Sequence, residues 1–248
     1  MRACCFVASV CLFLGAGRIA DAQPRNRVVQ PATPLDARPG IADLRDRARK
    51  SDYEELDRRV AATVGADLPD AKLIHARTLL ERGKYDDATK ALAIAKTKLT
   101  LRPAVVLLEA ELLMERGKLV DAERMLTTLR AETGEIGRAE RVKLGEALIA
   151  QGKRDDANDP LHEVIDDYGE MPTSDAVGLA AVARAAHLLR SARDANKAFT
   201  ESERADKTRV DTLLARATVF LEKYDSGHAE EVLRDALKIT WLCQSTPE

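Results

Sequence analysis

Histidine is the side chain in this chain best suited to bind a metal or to transfer a proton near neutral pH. The sequence has four, at His75, His162, His187 and His228. None is paired at the i, i+4 helical spacing with a second ligand that would suggest zinc, and Asp166 stands where a His-Glu-x-x-His motif starting at His162 needs its second histidine. We therefore expect histidines that lie in solvent on helix surfaces, with no metal site.

Other residues that could bind a ligand or take part in catalysis also have structural explanations. Paired aspartates at 86–87, 155–156 and 166–167 diverge by about 100° on a helix, so the carboxylates of a pair do not converge on one ion. The first two pairs fit the first turn of a helix, where the dipole favours acids. Gly83-Lys84 lacks the upstream glycine and the following Ser or Thr of a phosphate-binding loop, and Cys243 has no evident activating base. The sequence predicts neither an enzyme nor a cofactor.

The composition favours a helical protein that does not bind nucleic acid. Of 248 residues, 45% are hydrophobic and only 4% aromatic, while 39 basic residues oppose 41 acidic ones. A net charge of -2 gives no general means of neutralising phosphates, so nucleic acid is an unexpected partner. The apolar fraction is too high for a wholly disordered chain, and the scarcity of aromatic and β-branched residues disfavours strands.

The first 22 residues have the pattern of an export signal. Arg2 gives a positive start, residues 3–15 are apolar but too short to span a bilayer, and Ala20-Asp21-Ala22 offers a small-x-small cleavage site. Cleavage there would leave no stable membrane span. Export to the periplasm or cell envelope, or secretion, is expected, and residue usage suggests a bacterial source. Residues 23–40 contain four prolines and are predicted to be a disordered tether.

A 34-residue period organises the rest of the chain. Gly83-Lys84 returns as Gly117-Lys118 and again as Gly152-Lys153, at spacings of 34 and 35. Small residues occur in pairs twelve apart, with large apolar residues nearby at fixed offsets. The pairs are Ala76 and Ala88, Ala110 and Ala122, Gly145 and Ala157, Ala186 and Ala198, and Ala217 and Ala229. Because small residues let two antiparallel helices approach closely, each repeat is predicted to be a helical hairpin.

These residues resemble the tetratricopeptide repeat, a helix-turn-helix unit of 34 residues with small residues at its eighth and twentieth positions. The resemblance implies an all-α, right-handed helical-hairpin solenoid of about five to six repeats. The predicted organisation is a degenerate hairpin at 41–68, three well-matched units at 69–171, a flexible inserted joint at 172–178, two divergent units at 179–240 and a tail at 241–248. Pro160 falls within the third unit, where we expect a kink or a restarted helix.

The resemblance also implies a groove lined by the fifth, ninth and twelfth positions of the first helices. The candidate groove residues are Leu73, Arg77, Leu80, Leu107, Glu111, Met114, Val142, Glu146, Ile149 and His187. The same positions of the last unit are Leu214, Thr218 and Leu221. Such a surface suits an amphipathic helix or an extended apolar segment. Alternatively, the leucines pack mainly against neighbouring first helices.

The end of the repeat array bears on partners, because solenoids need a polar cap over their last unit. The final predicted helix runs into Trp241-Leu242, and no cap follows in the sequence. These two residues fold back, or the open end docks another chain or a second copy, or the chain opens a longer protein. The leading interpretation is a non-catalytic exported scaffold that binds a protein or peptide. The alternatives are a regulatory or substrate-presenting module of an envelope hydrolase, and a self-assembling structural protein of the envelope.

Overall fold

A computed structural model describes residues 39–244, and this part of the chain is entirely helical apart from its turns. Its twelve α-helices are α1 (Pro39–Arg49), α2 (Tyr53–Ala62), α3 (Leu68–Glu81), α4 (Tyr85–Ala95), α5 (Arg102–Glu115), α6 (Leu119–Thr127), α7 (Gly134–Ala150), α8 (Arg154–Glu170), α9 (Ala176–Leu188), α10 (Ala192–Ala205), α11 (Val210–Glu222) and α12 (Ser226–Gln244). The predicted all-α class is confirmed. The predicted signal and nearly all of the predicted tether lie outside the described residues.

The helices pair in sequence order to form six hairpins, from α1 with α2 to α11 with α12. Successive hairpins stack through their first helices: α3 contacts α5, α5 contacts α7, α7 contacts α9, and α9 contacts α11. Each second helix from α4 to α10 also packs on the first helix that follows it. The predicted solenoid of about five to six helical hairpins is therefore confirmed.

One turn conformation closes every hairpin. The second residue after the end of each first helix has a positive φ, at positions 51, 83, 117, 152, 190 and 224. The next amide then donates back to a carbonyl in the last turn of that helix, as Lys84 N does to Leu79 O at 2.8 Å and Ser191 N does to Ala186 O at 2.9 Å. This is the Schellman arrangement, in which a left-handed residue satisfies carbonyls left open at a helix end.

Glycine adopts this conformation at little cost, but the fifth and sixth hairpins use Arg190 (φ 65°) and Tyr224 (φ 59°). We expect Arg190→Gly to raise the free energy of unfolding by about 0.5–1 kcal/mol, because the relief of the left-handed strain exceeds the added freedom of the unfolded chain. Urea unfolding followed by circular dichroism measures the change. Arg190→Ala is the control, since it keeps the Cβ atom. An equal gain from alanine would show that the arginine side chain, and not its backbone, carries the strain.

Small residues occupy the contact between the two helices of each hairpin, as the sequence predicts. Ala76, Ala88, Ala110, Ala122 and Ala157 are buried. The close approach is clearest at Gly145, where an added Cβ atom would lie 2.7 Å from the Leu161 side chain. A large apolar residue four positions after the second small residue fills the adjacent space and is fully buried in hairpins two to five. These residues are Leu92, Leu126, Leu161 and Phe199.

The fourth of the five predicted pairs differs from the structure in register. Arg190 lies five residues before Ala195, as Gly83 lies five before Ala88, so Ala183 and Ala195 form the contact and not Ala186 and Ala198. The predicted register of the fifth hairpin is therefore three residues too far along the chain. The prediction was displaced because Arg190-Ser191 stands in place of the Gly-Lys signal. With this register Phe199 becomes the large apolar residue, while buried Ser202 donates its hydroxyl to the carbonyl of Ala176 at 2.7 Å.

The extra residues before this hairpin lengthen a helix. Helix α8 has 17 residues, against 11 in α4 and 9 in α6, and it continues through Pro160 without restarting. Of the kink or restart predicted near Asn158–Pro160, the restart is therefore wrong. Only residues 171–175 separate α8 from α9, and the Asp175 carboxylate caps α9 by accepting a hydrogen bond from the amide of Gly178 at 2.6 Å.

Candidate protein-binding surface

The apolar members of the predicted groove are largely covered by neighbouring helices. Leu107 and Val142 are only 4% and 3% exposed and belong to the same apolar core. Met114 and Ile149 pack beside that core and are half-buried. Leu73 and Leu80 pack in the same way against a second apolar core, which is formed mainly by residues of α3, α4 and α5. Leu107 and Val142 therefore pack between first helices and do not line an open groove. A ligand would contact the half-buried residues of the predicted groove only at their outer atoms.

Charged side chains on the first helices form a row that crosses successive hairpins. The Arg77 guanidinium on α3 donates to the Glu111 carboxylate on α5 at 3.3 Å. On α7, Glu146 accepts hydrogen bonds from Lys143 at 2.9 Å and from Arg184 of α9 at 2.8 Å. Burial acts to raise the pKa of Glu146, but these two cations together hold it below its usual value. Glu146 therefore stays charged at neutral pH.

Arg184, and not His187, continues this row on α9. The displaced register explains the difference: position nine of a unit beginning at Ala176 is residue 184, and His187 then occupies position twelve. The His187 ring lies 2.8 Å from the Glu222 carboxylate of α11. The sequence signal that could have identified Arg184 is the pair Ala183 and Ala195, twelve residues apart.

The carboxylate of Glu81 on α3 interacts electrostatically with residues of other first helices. Its side chain is exposed, yet burial among surrounding protein atoms raises its pKa, with the charges of Asp211 and Glu111 adding to the effect and Arg77 opposing it. Asp211 lies on α11, four hairpins further along the chain, so α3 and α11 are within electrostatic reach of each other. Glu81 is therefore open to solvent and interacts electrostatically with residues of α5 and α11.

Helix α11 is the first helix of the last hairpin. It differs from the other first helices because no following helix covers it in the described part of the chain. Leu214 and Leu221 are 49% and 53% exposed, whereas Leu107 and Val142, which share the position of Leu214, are buried. Asp211, Thr218 and Glu222 are also exposed and lie on the same side of the helix. We call these five residues the open stripe.

A separate charged cluster joins the turn after α6 to α7 and α8, and Glu140 is its buried member. Glu140 is 0% exposed, neither carboxylate oxygen has a hydrogen-bond partner, and the nearest cation, Arg130, lies 3.8 Å away. Burial raises the pKa of Glu140 to about 7, although the Arg130 and Arg141 charges act to lower it. Glu163 accepts hydrogen bonds from Arg130 and from Arg141. Because Glu140 is sealed from solvent, the cluster affects stability and not ligand contact.

The residues singled out for possible chemistry have structural partners. Asp57 of α2 lies 3.0 Å from His75 and 2.9 Å from Arg82. His75 and His187 are half-buried and not solvated on a helix surface as predicted. His162 and His228 are exposed, as predicted. Burial lowers the pKa of His75 despite the opposing charge of Asp57. Aspartates 86–87 and 155–156 lie in the first turns of α4 and α8, as predicted.

The described residues contain neither a group of metal ligands nor a helix that could span a membrane. Within 39–244, no three His, Cys, Asp or Glu side chains are grouped so that they could hold a metal ion. No helix in that range combines the length and apolar character needed to cross a membrane. The side chain of Cys243, near the end of α12, lies outside the described part.

Comparison with family models and with curated protein sequences finds no match. Among solved structures, the chain is similar to MamA 41-end from Desulfovibrio magneticus RS-1, at 13% identity over 74% of this chain and 100% of that one, with a TM-score of 0.39. It is also similar to BtubC (BKLC) from P. vanneervenii, at 15% identity over 88% of this chain and 95% of that one, with a TM-score of 0.44. These likenesses are to a helical architecture alone. By its own contacts, the described part of the chain is a stacked array of helical hairpins.

Proposed function

We propose that the protein is a non-catalytic scaffold, exported to the cell envelope, that binds a protein or peptide on the concave face of its first helices. The observation that carries this proposal is a row of partly exposed charges that runs beside half-buried apolar side chains and ends in the uncovered stripe on α11. Such a surface offers both polar contacts and apolar area to a ligand, as helix-in-groove recognition requires.

The accessible part of this face is narrower than the sequence implies. Because Leu107 and Val142 are core residues, a ligand contacts the side chains that remain open: Arg77 and Arg184, whose side chains are 44% and 46% exposed, and the outer edges of Met114 and Ile149. Charged groups at an interface rim contribute mainly to specificity and to the rate of association, while the apolar floor contributes affinity.

We expect Arg184→Glu to reduce recovery of the partner from envelope extract at least about fivefold, because it reverses the charge of one exposed cation on the face. The fold should persist, since Glu146 keeps Lys143 as its ion partner. Affinity capture with quantitative mass spectrometry measures the loss. The matched control is Arg124→Glu on the second helix α6, where the side chain is 76% exposed. Equal recovery with both folded variants would contradict binding on the concave face.

Export is the second part of the proposal and rests on the sequence of residues 1–22. In a bacterium that expresses the full chain, we expect the protein in the periplasmic fraction, with a mass that begins at Gln23. Replacing Ala20 and Ala22 with leucine should block cleavage and retain the longer form, because the signal peptidase requires small residues at these positions. Intact wild-type protein that stays in the cytoplasmic fraction would contradict export and leave the binding proposal unaffected.

A further inference from the structure

In each earlier hairpin, one apolar face is covered by the hairpin that follows it. In the described part of the chain, the equivalent face of the last hairpin has no such cover. Leu233 on α12 is the equivalent of the fully buried Leu92, Leu126, Leu161 and Phe199, yet it is only half-buried. Leu237, one turn further on, is exposed. In each earlier hairpin the next first helix packs on both helices of the pair, as α5 packs on α3 and α4. The uncovered face therefore has the shape that the fold uses elsewhere to receive a helix.

The open stripe gives this face a defined chemical pattern. Its residues follow helical spacing, so that Leu214, Thr218 and Leu221 form an apolar line with an acid at each end, Asp211 and Glu222. The stripe itself contains no lysine or arginine, but Asp211 pairs with Arg209 at its edge, and the His187 ring lies 2.8 Å from Glu222. Glu81 adds a third carboxylate from the opposite side of the groove, within electrostatic reach of Asp211.

This charge pattern discriminates between occupants. If two copies of the chain met through this face, Asp211 and Glu222 of one copy would approach the same acids of the other, and like charges across an interface are unfavourable. A helix with apolar residues along one side and basic residues beside them would instead pair with Asp211, Glu222 and Glu81 while covering the two leucines.

We propose that the open stripe binds an amphipathic helix of a protein partner whose apolar face is flanked by lysine or arginine. This inference rests on the proposed function and specifies where on the array the partner docks and what its chemistry is. The partner helix takes the place that the next first helix has in the earlier hairpins.

The test uses the purified full chain and three fluorescein-labelled 18-residue peptides. The first has leucines on one helical face and lysines elsewhere, the second has glutamate in place of lysine, and the third has the composition of the first in an order without an apolar face. Fluorescence anisotropy at about 0.15 M salt limits contributions from distant charges. We expect the Leu/Lys helix to bind at least about tenfold more tightly than either control peptide.

Variants locate the binding and keep the test specific. The double change Leu214→Ser and Leu221→Ser should weaken Leu/Lys binding at least about tenfold, while Val120→Ser, at an exposed apolar position on α6, should leave it unchanged. The double change Asp211→Lys and Glu222→Lys should reverse the preference, so that the Leu/Glu peptide binds more tightly. This reversal excludes general attraction of a cationic peptide to an acidic protein.

Several outcomes would overturn the inference. One is Leu/Lys binding that the two serine substitutions do not change. A second is a wild-type dimer in sedimentation experiments that the same substitutions dissociate, which would make a second copy the occupant. If the peptides do not bind while Arg184→Glu still abolishes capture of the native partner, the proposed function stands and this inference fails. If Arg184→Glu and Arg124→Glu recover the partner equally, the proposed function fails independently.

Discussion

Leu107→Asp is expected to unfold the protein, whereas Leu214→Asp, at the same position of the last hairpin, should leave it folded. Leu107 is packed between α5 and α7 in the core, and an aspartate there would lose the apolar contacts and bury an unpaired charge. Deleting a buried leucine costs about 2–5 kcal/mol, and burying the charge adds to that cost. Leu214 faces solvent across about half of its surface, so the charge of an aspartate remains hydrated.

Urea unfolding of the two variants measures the difference directly. We expect Leu107→Asp to lose at least about 4 kcal/mol of unfolding free energy, enough to unfold many single domains, and Leu214→Asp to lose under about 1 kcal/mol. Leu214→Asp should still lose binding to a partner helix. Similar destabilisation by both substitutions would show that the last hairpin is covered, which contradicts the open stripe.

Glu140→Gln is expected to stabilise the protein at pH 8 and to have little effect at pH 5. The carboxyl pKa rises from an ordinary 4.5 to about 7 on folding, chiefly because burial penalises the charged form. Between these values the folded state holds a proton that the unfolded state has released, so stability falls as pH rises from about 4.5 to 7. The shift sets an upper bound of about 3 kcal/mol on the gain from removing the charge.

Denaturant unfolding at pH 5 and pH 8 isolates this contribution as the difference between variant and wild type. Glu163→Gln is the matched control, with the opposite sign. Burial acts to raise the pKa of Glu163, but hydrogen bonds from Arg130 and Arg141 together hold it below its usual value. Its contribution to stability is therefore present above the unfolded pKa and is lost as pH falls through the folded one. A pH-independent effect of Glu140→Gln would contradict a buried carboxyl that titrates near neutrality.

The hairpin architecture was predictable because it depends on local, repeated features. Small residues twelve apart and a turn residue five before the second of them fix how two helices meet, and both can be read along the sequence. The prediction was wrong where another residue takes the place of glycine. Arg190 adopts the left-handed turn without being glycine, so the predicted register of the fifth hairpin was displaced and did not include Arg184. Pro160 was overinterpreted, since α8 continues through it.

The binding surface was less predictable, because exposure depends on how hairpins stack. Leu107 and Leu214 are the same residue type at the same repeat position, yet only the second is open. The electrostatic interaction of Asp211 with Glu81 joins helices that are four hairpins apart along the chain, which no local pattern encodes. Buried Glu140 likewise looks in the sequence like any other charged residue of a helix surface.

The most direct test of a binding face on the first helices is site-specific photocrosslinking in envelope extract. A benzophenone amino acid replaces Thr218 on the open stripe or, as the control, Thr127 on α6. Both threonines are exposed, and each donates its hydroxyl to the carbonyl four residues earlier, so the substitutions are structurally matched. We expect a discrete adduct with one protein from position 218 and none from position 127. Equal adducts from the two positions, or adducts from position 127 alone, would contradict a binding face on the first helices.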